Sequence, residues 1–242
     1  MRILVSTFMA MAAFSSVAAE TPKKLAGEVE LGIVATSGNT ETQSLKGKIA
    51  IKHNLENWKN NYQLDALYKK DEVAGVSQTT ANKYFLSMQS DYKLNEKHSG
   101  LFVYASYQKD KFSGFDYQSA IALGYSDRMF GDDTSFLDYN IGPGYTFAET
   151  DDGDKTEAAV LRLAADYEYK LSDTAKFTQT LSTEAAFDSD KNTRSKSETA
   201  ISAKLMGNLS MKAAYTIIHN SLVPANKDKT DSTTSLTVVY LF

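Results

Sequence analysis

Acyl or hydrolytic chemistry at a hydroxyl needs a base within hydrogen-bond reach of it. The chain of 242 residues holds three histidines and no cysteine. His98 adjoins Ser99, His219 lies near Ser221, and His53 stands beside Asn54. Each falls at the end of an extended run or in a short turn, where polar residues are ordinary, so the chain reads as a non-enzyme. Without cysteine there is no disulfide, thiolate nucleophile or thiolate metal site. Two acidic segments, Glu149-Thr150-Asp151-Asp152-Gly153-Asp154 and Asp188-Ser189-Asp190-Lys191-Asn192, have the oxygen-rich character that suits calcium. The second opens like a calcium loop but has Thr193 where glycine is required and Thr199 where the bidentate glutamate belongs. Solvated loop charge accounts for both, and no metal or cofactor is expected.

The more informative charges are those that recur at every second position among apolar residues. Glu28, Glu30, Asp65, Asp91, Asp138, Asp166, Glu168, Glu184 and Glu198 share one phase with Lys46, Lys48, Lys59, Lys69, Lys83, Arg162, Lys204 and Lys212. A period of two belongs to β-strands, whose side chains point alternately to opposite faces. The opposite phase is apolar or aromatic: Val29, Leu31 and Ile33; Leu45, Ile49 and Ile51; Leu137, Tyr139, Ile141, Tyr145 and Phe147; Leu161, Leu163, Tyr167 and Tyr169. Such a chain needs a medium on each side, lipid outside and a polar interior inside.

The elements that must position these charges follow from the same alternation. About twelve strands of roughly 10 to 13 residues can be marked, close to the length that crosses a bilayer at a tilt. Turns are expected at 37–40, 54–57, 95–98, 131–134, 171–174 and 207–208, and longer polar connections at roughly 71–82, 109–114, 149–155, 188–193 and 221–231. Pro143 interrupts an otherwise clear strand and predicts a local bulge, because a closed sheet has no edge to hide it. No helical periodicity persists after residue 20, and no mature apolar run approaches the roughly 18 residues of a spanning helix. Mean hydropathy is only −0.36, which does not argue against the membrane, since a spanning strand shows lipid only every second side chain. In hydrocarbon every amide needs an internal partner, so strands there must close on themselves. The expected fold class is all-β: a transmembrane antiparallel up-and-down barrel of about twelve strands, with short periplasmic turns and longer extracellular loops.

Both ends of the chain agree with this. Residues 1–19 carry Arg2, an apolar run from Ile3 to Phe14 and the small-residue ending Val17-Ala18-Ala19, the pattern of a cleaved secretory signal peptide. Residues 20–242 then form one barrel domain in the bacterial outer membrane. The final stretch sets Thr234, Leu236, Val238, Tyr240 and Phe242 on one phase. A terminal aromatic with aromatic or apolar residues at alternate positions before it resembles the closing strand of outer-membrane barrels, which the insertion machinery reads; Val238, Tyr240 and Phe242 would form that signal. Outer-membrane lipid, lipopolysaccharide and the barrel-insertion machinery are the expected partners. The formal charge of −4 argues against nucleic acid.

The segments Thr36-Ser37-Gly38-Asn39-Thr40-Glu41, Asp110-Lys111-Phe112-Ser113-Gly114-Phe115-Asp116-Tyr117-Gln118 and Gly142-Pro143-Gly144-Tyr145 resemble the YdiY-like family, whose members are usually described as salt-induced outer-membrane proteins. The resemblance covers most of the mature chain. It implies an outer-membrane barrel and a link to salt or osmotic stress; the family has no established activity and supplies no catalytic residues. Eight strands leave an interior just filled by side chains, whereas 16 to 18 leave an aqueous channel. About twelve lies between, and two outcomes stay open: a hydrated small pore for ions or small solutes, or a non-conducting structural or loop-mediated binding barrel. In the second, opposite charges, with Phe85, Phe102 and Tyr104, plug the lumen.

Overall fold

The structure, a computed structural model, describes residues 24–33, 41–73, 76–95, 98–110, 113–225 and 227–242; the side chains of 33, 41–43, 69–73, 76–78 and 80–81 lie outside the described set. The signal segment and the first turn expected at 37–40 also lie outside it. Alternating sequence becomes strand throughout: β1 (Leu25–Ile33), β2 (Glu41–Asn54), β3 (Trp58–Val73), β4 (Val76–Lys93), β5 (Gly100–Asp110), β6 (Phe115–Gly131), β7 (Ser135–Thr150), β8 (Lys155–Lys170), β9 (Ala175–Ala186), β10 (Arg194–Met206), β11 (Leu209–Asn220) and β12 (Thr230–Leu241). Each pairs antiparallel with its neighbours in sequence, and β1 pairs β12, closing the barrel. Closure gives every strand two partners, the condition hydrocarbon imposes. No described helix is long and apolar enough to cross a membrane.

The outer wall carries the apolar phase. Leu31, Leu45, Leu86, Val103, Ile121, Leu123, Ile201 and Leu236 are all exposed on it. Aromatic pairs gather toward the strand ends. Trp58 meets Tyr92 edge-on at 5.3 Å, Tyr125 meets Tyr139 at 6.5 Å, and Tyr167 lies between Phe130 and Phe177 near the short connections. Toward the opposite rim, Tyr107 stacks on Tyr117 and Tyr145 lies 5.1 Å from Phe147. Two aromatic belts flanking an apolar band are what a barrel wall needs at two lipid–water interfaces.

Two expectations are corrected. The polar stretch 71–82 is not a loop: β3 and β4 continue through it, paired from Trp58↔Tyr92 to Val73↔Val76 with one register shift at Lys69/Lys70. Polarity on both faces marks where a hairpin leaves the lipid, and backbone pairing does not stop there. Nor does Pro143 sit in a bulge. It pairs with Leu161 on β8 in unbroken register, and on the β6 side the register is the same before and after it, Ala122↔Gly144 and Tyr125↔Ile141. Glycines solve the problem. A Cβ at Gly142 would stand 1.9 Å from the Leu123 carbonyl oxygen, and one at Gly124 2.1 Å from that of Ile141. The two backbones approach too closely for side chains beside the missing N–H.

Closure at β1/β12 spans Glu28↔Leu241 to Ile33↔Leu236. Gly27 and Phe242 extend it by exchanging backbone hydrogen bonds of 3.0 Å. The Phe242 ring lies over Gly27, where a Cβ would meet the ring at 2.2 Å.

Candidate functional site in the barrel interior

Because β10 alternates, it delivers Arg194, Lys196 and Glu198 inward one after another, and the first two find their partners on distant strands. The Arg194 guanidinium donates to Gln108 Oε1 on β5. Lys196 Nζ lies 3.9 Å from Asp65 on β3 and 5.2 Å from the centre of the Phe85 ring on β4. In the closed order four strands separate β10 from β5 one way and from β3 the other, so these side chains cross the lumen. A second crossing joins the cross-strand neighbours of Gln108 and Arg194: Gln118 Nε2 on β6 donates to Asn220 Oδ1 on β11 at 3.2 Å.

Two ion-pair clusters flank this bridge. On one wall Arg162 pairs with Glu184, and its guanidinium lies 3.5 Å from the centre of the Tyr104 ring. Phe102, Ala120, Ala122 and Val160 pack beneath, all buried. On the other wall the closing seam is tied from inside. Lys212 on β11 contacts Glu30 on β1 at 3.0 Å and Glu198 on β10 at 2.9 Å. Lys48 on β2 contacts Glu30 at 3.3 Å and Glu28 at 3.0 Å, Thr237 on β12 donates to Glu30 at 3.2 Å, and Lys46 donates to Ser235 at 3.1 Å. Five successive strands, β2, β1, β12, β11 and β10, are thereby bound in one network. Glu30 is 1% exposed, so its charge depends on these partners.

The remaining candidates are placed less centrally. Asp91 is buried and accepts from Ser126 at 2.7 Å. Asp138 takes both arms of Arg128, at 2.5 and 2.9 Å. Glu168 pairs with Lys176 at 2.8 Å. Asp166 and Lys204 are exposed, and the Lys69 side chain lies outside the described set. Sequence reasoning passed over Arg194, Lys196, Arg128 and Gln108. Arg194 follows directly on a polar loop, which hid the inward phase that Glu198 two turns of the alternation later makes plain. Val238 and Tyr240 stand exposed on the outer wall, and the Tyr240 and Phe242 rings stack at 6.5 Å.

His219 and Ser221 each engage a partner other than one another. His219 Nδ1 pairs with Thr230 Oγ1 at 2.8 Å, while Ser221 Oγ accepts from the Thr193 amide. In the 94–99 turn, Ser99 Oγ accepts from Asn95 Nδ2, and burial with the nearby Arg128 charge holds His98 below the ordinary imidazole value. The Asp188 segment is a self-capped turn, Asp188 Oδ1 accepting from the Asp190 amide. Among the described residues no three His, Cys, Asp or Glu side chains gather where a metal ion could sit.

Comparison with known proteins agrees with this geometry. The family profile described as "Protein of unknown function, DUF481" matches residues 29–242. "Uncharacterized protein YdiY" of Escherichia coli (strain K12) is 26% identical over 225 residues, covering 92% of this chain and 85% of that protein. Among solved structures, the NanC porin superposes with a TM-score of 0.54 at 10% identity, covering 89% of this chain and 99% of that one. The translocator domain of the autotransporter NalP from Neisseria meningitidis superposes with a TM-score of 0.50 at 12% identity, covering 93% and 90%. Identities this low speak for the barrel fold alone.

Proposed function

The chain belongs to the DUF481 family of unknown function, and from that premise we propose that it is an outer-membrane barrel serving as a narrow passage for ions or small solutes. The observation that carries this reading is the pair of charged arms that β10 extends across the lumen, Arg194 to Gln108 and Lys196 to Asp65. A barrel of this size is wider than the eight-strand case that side chains merely fill, and its interior carries charge of both signs beside one buried apolar cluster. Ion preference would then be set by the groups the solute must pass. The likeness to a chain described as a porin supports a conducting barrel by analogy of fold.

The second reading, a non-conducting structural or loop-mediated binding barrel, is favoured by the same bridge seen the other way, since the arms obstruct what they line. Planar-bilayer recording decides. Small discrete openings are expected from the intact protein, and the Arg194→Ala/Lys196→Ala variant should conduct several-fold more. Silence from both after verified insertion supports the structural barrel. Export through residues 1–19 and outer-membrane residence belong to this proposal, tested by membrane fractionation and by the N-terminal sequence of the mature protein. Recognition of Val238, Tyr240 and Phe242 by the insertion machinery belongs to it too, and deleting Phe242 should lower the inserted fraction. The link to salt or osmotic stress predicts a growth defect of a deletion strain confined to high-salt medium.

A further inference from the structure

At the level where Arg194, Glu184 and Arg162 lie side by side on β10, β9 and β8, two guanidiniums flank one carboxylate. Glu184 pairs with Arg162, and Arg194 is held only by the neutral amide of Gln108. Both Arg162 Nε and Arg194 Nε are buried without a hydrogen-bond partner among the described residues. A buried donor left unpaired costs roughly 1–3 kcal/mol, and more when it belongs to a charged group. The half-buried Arg194, with its Nε buried and unpaired, is therefore a standing demand for an acceptor.

Beside these groups is a cavity lined by Arg194, Glu184 and Lys191, with Ser106, Thr146 and Thr156 adding hydroxyls. It leaves about 40 Å³ for the centres of water-sized molecules, against the roughly 10–15 Å³ that one water needs. That admits one small ion with a water or two and excludes a sugar or an amino acid. Lys191 adds a further positive charge, and Glu157, also on the wall, is exposed at the rim. With Arg162 and Glu184 cancelling, the local balance is one positive charge in excess. The hydroxyls of Ser106 and Thr156 can turn a donor toward the ion, whereas that of Thr146 donates to the Ala158 carbonyl, and the buried Gln118 Oε1, unpartnered on the same wall, suits a companion water.

We propose that this cavity is a binding site for a single small monovalent inorganic anion of halide size, with Arg194 as its principal ligand. The inference deepens the reading of the lumen as a passage and rests on it for its consequence: a resident anion site at the base of the Arg194 arm that crosses the lumen would favour anion over cation passage.

The site is tested apart from conductance. Crystals of the full-length mature protein grown in sodium bromide should show an anomalous bromine peak in this cavity within contact distance of Arg194. The peak should vanish in Arg194→Gln, which keeps a polar side chain with N–H donors but removes the charge and shortens the reach. If that variant fails to fold, Lys191→Gln on the 187–193 loop should lower the peak occupancy several-fold. A cavity holding only water in bromide-grown crystals overturns the proposal. In bilayers under a potassium chloride gradient, the reversal potential should lie on the anion-selective side and move toward zero in Arg194→Gln; a cation-selective reversal potential overturns the proposal as well. A bromide peak in a protein that never conducts upholds the site and removes the passage reading.

Discussion

At the scale of single residues, the interior shows how a charge is kept inside a sheet. Glu30 is tied to Lys48, Lys212 and Thr237, partners drawn from three other strands. Removing one member of a buried ion-pair set leaves the others uncompensated, at a cost of about 3–5 kcal/mol. Glu28 and Glu198 remain to share the two lysines, so Glu30→Gln should fall at the low end, about 3 kcal/mol, in denaturant unfolding from lipid vesicles. A loss under about 1 kcal/mol would mean that the seam does not depend on this carboxylate. Outside the membrane-spanning strands, Asp132 caps the 131–135 turn, its Oδ1 accepting from the amides of Thr134 and Ser135 at 2.7 Å each. Those amide bonds hold its carboxyl below the usual carboxylate value. A depressed value in the folded state means the cap is fully present above the unfolded value near 3.8 and is lost as pH falls through the lower folded one. The amide resonances of Thr134 and Ser135 should therefore hold constant through neutral pH and shift only below about pH 4. Asp132→Ala should abolish that titration.

At the scale of elements, the β6/β7 pair shows how a proline is carried in a closed sheet. Gly124 and Gly142 face each other across the strands beside Pro143, with no room for a Cβ against the opposing backbone. Because the obstructing atoms are carbonyl oxygens and not side-chain ends, neither can step aside cheaply. Gly142→Ala should cost about 3 kcal/mol and show as a larger unfolded fraction on unheated gels. Gly27→Ala, which meets only the Phe242 ring, should be milder, because a ring can swing outward along the barrel wall.

At the scale of the whole molecule, the barrel separates two media, and the cost of a charge depends on which wall it faces. Leu123 is 62% exposed on the outer face. Leu123→Lys should destabilise the folded protein in lipid by about 2–4 kcal/mol if it lies near the bilayer midplane, falling toward zero nearer an interface. Ala120→Ser, on the inner face of the same strand, should cost under about 1.5 kcal/mol. Equal costs at the two sites would overturn the assignment of inside and outside.

Much of this was legible in the amino-acid order because strand periodicity is local. A side chain's face is settled by odd or even position, so the wall to which Glu30, Lys48, Arg162 or Lys212 belongs follows from its immediate neighbours. The strand number and the position of the even-numbered turns follow from the same alternation, and the closing role of β12 from the resemblance of its terminal aromatic pattern to closing strands. What lay beyond it depends on closure. Arg194 and Gln108 are 86 residues apart, Lys212 and Glu30 182, and Thr237 and Glu30 207; nothing in the spacing of either partner points to the other. Which charges meet across a lumen is decided by the curvature and stagger of the whole sheet. That is why inward charges could be enumerated from alternation, while the bridge, the seam network and the carboxylate set between two arginines came only from the assembled barrel.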